Sequence, residues 1–161
     1  IYSLTVRLLH GSQRDLNLGE QIGVTEPTQV QGYRLTATCL EKTSNSCCES
    51  ASILLDTLGA GKKLPEPVST QLAHISTKAM EIFNAAVQSF QSGDITVANE
   101  AIDKCETFKS QFAHALSEDQ AGYSSDIEEV VRGIEYNTRR MIDASSVIAT
   151  VVLERTLEKI R

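Results

Sequence analysis

Apolar positions recur along much of this chain at steps of four and three residues, the spacing of one buried stripe on an α-helix. The pattern is clearest in residues 33–58 and again in residues 127–152, where the same steps follow in the same order. Aligning residue 33 with residue 127 superimposes the two stripes, and we predict that both are buried. They are Tyr33, Ala37, Leu40, Ser44, Cys47, Ala51, Leu54 and Leu58, and Ile127, Val131, Ile134, Thr138, Met141, Ser145, Ile148 and Val152.

The two copies also share polar features. Each has a small hydroxyl residue midway along its stripe, Ser44 and Thr138, and each has a glutamate beside the third position, Glu41 and Glu135. Helices that share a stripe, a polar insert and an acidic residue are typical of an internal duplication. The hydroxyls are expected either to line a polar channel or to donate to a carbonyl of their own helix in a close helix contact.

Start and stop signals divide the chain into helices. We predict helices at residues 1–12, 28–58, 66–92, 95–117 and 126–160, with a short helical turn between residues 16 and 22. Gly59, Gly61 and Gly93 are expected to end helices, and Asp94 to cap the one that follows. Further buried stripes are predicted at Val68, Leu72, Ile75, Ala79, Ile82, Ala86 and Phe90, and at Ala98, Ala101, Cys105, Phe108, Phe112 and Ala115.

These elements predict an all-α fold of tandem, antiparallel three-helix units. Residues 67–161 are expected to form a complete second unit, residues 59–66 a linker, and residues 1–58 an incomplete first unit. Because the chain begins with Ile1 rather than Met, we expect a fragment whose missing helices precede Ile1. Faces left exposed in the first unit would then be covered by rearrangement, by a partner chain or by those missing residues.

Composition restricts the classes of function. The net charge of −6 argues against direct contact with nucleic acid. The chain contains no run of roughly 18 apolar residues, so we expect no membrane span and a cytoplasmic location. The cysteines lack Cys-x-x-Cys spacing and are expected to be buried and reduced rather than bound to zinc. They are Cys39, Cys47, Cys48 and Cys105.

The spacing of polar residues does not favour catalysis. Di-iron helical bundles use Glu-x-x-His pairs, but Gln71 and Gln111 occupy the glutamate position before His74 and His114. The stretch GAGKK at residues 59–63 lacks the Walker pattern of a phosphate-binding loop. No Ser-His-Asp or Cys-His grouping can be drawn from the sequence. We therefore expect a binding protein rather than an enzyme.

The repeated helix resembles a known family. Its first copy, YRLTATCLEKTSNSCCESASIL, resembles the signature helix of the PhoU family of phosphate-uptake regulators. The second copy, VVRGIEYNTRRMIDASSVIA, is similar to the same helix in the second repeat of that family. The stretches IYSLTVRLLH and LGEQIGVTEPTQVQGYRL resemble the archaeal type, in which a DNA-binding segment often precedes the helical part. The resemblance covers nearly the whole chain.

The resemblance implies tandem three-helix bundles that bind iron or zinc clusters, often dimerise and act between the phosphate transporter and its signalling partner. Metals in the family bind an E-x-x-x-D motif, which corresponds here to Glu41 to Asn45 and to Glu135 to Arg139. Each copy has lost the aspartate, and Arg139 brings a positive charge where a cation needs an anion. We therefore expect no metal cofactor, and Glu41 and Glu135 are either remnant ligands or partners of local bases such as Lys42, Arg139 and Arg140.

The arginines of the second copy have two interpretations. Arg132, Arg139 and Arg140 could bind an anion such as phosphate through their guanidinium groups. Alternatively, they could pair with acidic residues three or four positions away and form a solvated face. Those acidic residues are Glu128, Glu129, Glu135 and Asp143.

The expected function is regulation of phosphate uptake through protein contacts, by a PhoU-like homodimer that could be the regulatory part of a transcription regulator. The alternative is a helical dimerisation module of a transporter- or potassium-channel-associated accessory protein. The residues that precede Ile1 would discriminate between the two, since a DNA-binding segment favours the first and a nucleotide-binding or membrane segment the second.

Overall fold

The structure is a computed structural model that describes residues 1–24, 26–118 and 123–158, without the side chains of residues 27, 28, 112–118 and 158. Within these ranges the chain forms six α-helices and no strand. The helices are α1 (Tyr2–Ser12), α2 (Leu16–Gln21), α3 (Pro27–Gly59), α4 (Glu66–Ser92), α5 (Ile95–Glu118) and α6 (Ser125–Glu158). The prediction of an all-α fold is confirmed.

Helices α4, α5 and α6 form a three-helix bundle. The turn between α4 and α5 has the predicted local chemistry: Gly93 has a left-handed φ of 70°, and the Asp94 carboxylate accepts hydrogen bonds from the amides of Thr96 and Val97 at 2.8 and 3.3 Å. The stripe predicted on α4 is buried except for the half-buried Phe90. On α5, Ala98, Ala101 and Cys105 are buried and Phe108 is half-buried, whereas Phe112 and Ala115 lie outside the described side chains.

Helix α6 is the central element of the molecule, since α3, α4 and α5 all pack against it. Its predicted stripe is confirmed: every member is buried except the half-buried Met141. Ile142 and Ile148 are among the largest side chains that are fully buried. The bundle core is therefore built mainly from branched aliphatic residues of α4 and α6 and small residues of α5.

Helix α3 lies antiparallel to α6, and its Cys39 belongs to the same apolar cluster as Ala86 of α4 and Ala144 of α6. Gly32 of α3 faces Val151, Glu49 binds Arg140, and Ile53 packs against Gly133. A Cβ atom on Gly133 would stand 2.7 Å from Cδ1 of Ile53, so the absence of a side chain there allows the close approach of the two helices. The two copies of the repeated helix are thus in direct contact along most of their length.

The predicted buried stripe of α3 is wrong. Leu40, Ser44, Cys47, Ala51 and Leu58 are exposed, whereas Tyr33, Ala37 and Leu54 are half-buried. The positions that are buried lie on a neighbouring side of the helix and are mostly small and polar: Val30, Thr36, Cys39, Thr43, Ser46 and Thr57.

The reason is the limited set of helices that reaches α3. Helix α6 packs along α3, α1 covers just its first part, and α4 reaches it through side chains such as Phe90, which meets the Tyr33 ring edge-on at 5.7 Å. Small hydroxyl residues allow the α3 and α6 backbones to come close, so this side of α3 faces α6. The more apolar side of α3 faces solvent beyond the end of α1.

Helices α1 and α2 form a small layer on the first part of α3. Leu9, Val24 and Val30 make its core, and the Tyr2 hydroxyl lies 3.3 Å from that of Thr38. The carboxylate of Asp15 accepts hydrogen bonds from the first amides of α2, which makes it the N-cap of this short helix. The division of the chain into two three-helix units stays a prediction.

No helix in the described part of the chain is both long and apolar enough to cross a membrane.

Candidate functional site

The motif of the second copy is closed by an ion pair. Oε1 of Glu135 accepts hydrogen bonds from Arg139, at 3.2 Å from Nε and 2.8 Å from a terminal guanidinium nitrogen. The Glu135 side chain is only 17% exposed, so the pair is partly shielded from water. A cation at this position would have to displace the guanidinium of Arg139, because both compete for the same carboxylate oxygen.

The motif of the first copy is more open. Glu41 is half-buried and Asn45 is exposed. Glu41 forms no ion pair with another described residue, in contrast to Glu135. The first motif therefore retains one carboxylate without a local base, and its pairing with Lys42 is not observed.

The structure does not bring Glu41 and Glu135 together. Glu41 lies on α3 between Gly32, which faces Val151, and Glu49, which binds Arg140. It is therefore level with α6 between residues 140 and 151, whereas Glu135 lies at least five residues, or about 7 Å, beyond Arg140. Within the described ranges, no group of three or more His, Cys, Asp or Glu residues is placed to hold a metal ion.

Two ion pairs connect α6 to neighbouring helices. Arg140 donates to Glu49 of α3 at 3.0 Å, and its guanidinium lies 5.5 Å from the centre of the Tyr136 ring. On the α5 side, Asp143 binds Lys109 at 3.0 Å. Two of the acidic and basic residues named from the sequence, Arg140 and Asp143, thus pair with other helices rather than with their neighbours on α6.

Lys109 also contacts Glu106 at 3.4 Å. Burial by itself would lower the pKa of Lys109, but the hydrogen bonds and charges of Asp143 and Glu106 outweigh it and raise that pKa above its usual value. Lys109 therefore stays protonated and links α5 to α6 over the whole physiological pH range.

The interface between α3 and α6 contains buried polar atoms that were not predicted from the sequence. The hydroxyls of Thr36, Thr43 and Ser46 and the side-chain oxygen of Asn137 are buried without a hydrogen-bond partner among the described residues. Thr138, in contrast, donates to the carbonyl of Ile134 at 2.8 Å, one of the two arrangements expected for it. Ser44 is exposed and lines no channel between the helices. The small hydroxyl residues at intervals along α3 were the signal that could have indicated this interface.

The cysteines fall into two classes. Cys39 and Cys105 are buried, as predicted, whereas Cys47 and Cys48 are exposed and the prediction for them is wrong. Burial raises the pKa of the Cys105 thiol to about 11 and also raises that of Cys39, so both stay protonated and unreactive at neutral pH. Cys47 and Cys48 are therefore the accessible thiols of the described chain.

A groove of about 480 Å³ lies between α4 and α5. Its floor is apolar, with Ile75, Ile82 and Phe108, and its rim includes Lys78 and Lys104. Lys78 is already paired with Glu81 at 3.0 Å, so the rim carries mixed charge. A shape of this kind is compatible with a small amphipathic ligand. Periodicity along the chain does not reveal this groove, because its walls come from two separate helices.

Comparison with known proteins produced no match: no family model, no curated protein and no solved structure is significantly similar to this chain. The resemblance of the repeated helix to the PhoU signature therefore stays an expectation drawn from the residues themselves.

Proposed function

We propose that this chain is a PhoU-like regulatory module that controls phosphate uptake through contacts with protein partners and acts as a homodimer. The observation that carries the proposal is the direct antiparallel packing of α3 on α6, the two helices that bear the repeated signature. A duplicated helix pair of this kind is expected where two homologous units share one interface.

The ion pair of the second motif supports a mechanism without a metal cluster. Arg139 binds the carboxylate of Glu135, and Glu41 on α3 is too far from Glu135 to complete a shared ligand set. Regulation would then depend on the surface presented to a partner. The net charge of −6 favours a partner with basic or neutral contact surfaces over nucleic acid.

Deletion of the encoding gene in its host tests the proposal. Radiolabelled phosphate uptake in phosphate-rich medium is expected to rise in the deletion strain and to return to normal with the wild-type gene. The double variant Glu41→Gln/Glu135→Gln is expected to restore regulation equally well, since no metal is required. Unchanged uptake in the deletion strain would contradict the proposal.

Native mass spectrometry tests the metal-free mechanism on the purified protein. With Fe(III), Zn(II), Mn(II) and inorganic phosphate added separately, the chain is expected to retain no metal ion after buffer exchange. Retention of two or more metal ions, lost in the Glu41→Gln/Glu135→Gln variant, would instead favour a metal-cluster mechanism.

A helical dimerisation module of a transporter- or potassium-channel-associated protein is the second candidate, favoured by the exposed apolar side of α3. The same deletion strain discriminates between the two functions. A change in rubidium uptake, as a tracer for potassium, with normal phosphate uptake would favour this alternative.

A further inference from the structure

One side of α3 is apolar, uncharged and unpartnered in the described structure. It consists of seven positions that share this side of the helix, here called the outer face: Leu40, Ser44, Cys47, Cys48, Ala51, Leu55 and Leu58. All seven are exposed, and the three leucines have exposed fractions of 42, 68 and 61% in chain order. An uncharged row of exposed residues that ends in leucines on both sides is unusual for a helix surface that stays in water.

The outer face continues an interface that already exists. Helix α1 runs antiparallel to α3 and covers its first part, where Tyr2 meets Thr38 and Leu9 packs with Val30. The outer face begins beyond the level of Tyr2, at Leu40, and no described helix packs along it. At its far end Leu58 lines a small cavity with Leu64 and Ser69. A helix packed on the outer face would extend the same layer along the rest of α3.

Four of the seven positions of the outer face are symmetric in residue size about residue 49. Leucines occupy both ends, at residues 40, 55 and 58, and the small residues Ser44, Cys47, Cys48 and Ala51 occupy the middle. If a second α3 lies antiparallel on the first with its centre at residue 49, Leu40 is opposite Leu58 and Cys47 is opposite Ala51. Both contacts occur twice, as two-fold symmetry requires. Small residues at the centre allow close approach of the helices, while the leucines fill the ends.

The charges of α3 are compatible with this contact. None of the seven positions is charged, although the chain carries a net charge of −6. Across a two-fold axis each charge would be close to its own copy and would be repelled, so a self-contact requires an uncharged centre. Glu49, the acidic residue nearest to the centre in sequence, points away from the outer face and binds Arg140.

We propose that the outer face of α3 is the surface through which two copies of this chain associate, α3 against α3 in antiparallel orientation. The inference rests on the proposed function only for the expectation of a homodimer. It adds the surface through which the two copies associate and the orientation of one α3 relative to the other. Phosphate uptake in the deletion strain does not depend on it, so the two proposals can fail separately.

Size-exclusion chromatography with light scattering tests the surface. The wild-type chain is expected to be a dimer. The Leu55→Glu/Leu58→Glu variant is expected to have a dissociation constant about a hundredfold higher or more. The reason is that each carboxylate would be buried at the contact, which costs at least about tenfold in affinity. The control is Leu157→Glu, the same substitution at a leucine of α6 that is 64% exposed and lies off the outer face. Both variants should keep the wild-type circular dichroism spectrum, since the substituted leucines are exposed in the single chain.

Thiol crosslinking tests the orientation. A short bismaleimide is expected to join two wild-type chains through Cys47 and Cys48, which flank the proposed axis and are exposed. The Cys47→Ser/Cys48→Ser variant should give no covalent dimer, and Cys39→Ser/Cys105→Ser should give as much as the wild type. The proposal would be overturned by a monomeric wild type, by a dimer that Leu55→Glu/Leu58→Glu does not weaken, or by a dimer without this crosslink. A monomeric wild type would mean that the outer face binds a partner of different sequence.

Discussion

Two buried threonines of the repeated helices differ in their hydrogen bonding. Thr138 is buried and donates its hydroxyl to Ile134, so the polar atom is satisfied within its own helix. Thr43 is equally buried, but its hydroxyl has no hydrogen-bond partner among the described residues. A buried hydroxyl without a partner costs free energy, whereas a methyl group in its place does not.

Thr43→Val is therefore expected to increase the free energy of unfolding by about 1 kcal/mol, because it removes an unsatisfied hydroxyl and keeps the shape of the side chain. The matched control is Thr138→Val, which loses a hydrogen bond and should lower the free energy of unfolding by about 1 kcal/mol. Urea denaturation followed by circular dichroism measures both. Equal effects of the two substitutions would show that the environments of the two hydroxyls do not differ.

The ends of helices follow local chemistry in this chain. The turn between α4 and α5 combines a glycine in the left-handed region with an aspartate that caps the following helix. Neither feature depends on distant residues, because the partners are amides two and three positions away. This explains why the boundaries of α4 and α5 were predicted closely.

Asp94→Ala is expected to lower the free energy of unfolding by about 1 kcal/mol through loss of the cap of α5. Asp94→Asn is the control, since its side-chain oxygen can accept the same hydrogen bonds and should keep most of the stability. Thermal denaturation followed by circular dichroism measures both variants. If Asn and Ala were equally destabilising, the charge at the start of α5 rather than the cap would be responsible.

The molecule as a whole has two levels of packing around α6. The bundle of α4, α5 and α6 buries Ile, Val and Leu side chains, while the contact of α3 with α6 buries mainly small and polar ones. Burial of apolar area is the main source of stability, at roughly 25 cal/mol per Å². We therefore expect the α3 layer to be held less strongly than the bundle.

Hydrogen exchange with mass spectrometry is expected to show this difference. The measurement uses the Leu55→Glu/Leu58→Glu variant, in which the proposed association is removed. Amides of α3 between residues 40 and 58 should then exchange at least about tenfold faster than those of α6 between residues 127 and 152. A tenfold ratio corresponds to a difference of about 1.4 kcal/mol in the free energy of opening. In the wild-type dimer the difference should shrink. Equal exchange of α3 and α6 in the variant would mean that α3 belongs to the same cooperative unit as the bundle.

The repeated pattern was interpreted correctly for one copy and wrongly for the other. In α6 the apolar stripe is buried because helices pack on it along its length, and the predicted positions from Ile127 to Val152 match. In α3 the same pattern lies largely in solvent, since what a stripe packs against depends on which helices are present around it.

The ion pairs of the candidate site were also predictable only in part. The pair of Glu135 with Arg139 was among the local partners considered from the sequence, whereas the pair of Arg140 with Glu49 joins residues far apart in the chain.

The sequence by itself determined the helices, their ends and the bundle formed by α4, α5 and α6, because caps, glycines and apolar periodicity act over a few residues. Only the tertiary structure decided which side of α3 faces α6, which hydroxyls lack partners and which cysteines are accessible. These depend on how α3 is rotated about its own axis, and a rotation of about 100°, the angle between successive residues, exchanges one side of the helix for the next. That rotation is set by the neighbouring helices rather than by α3 alone.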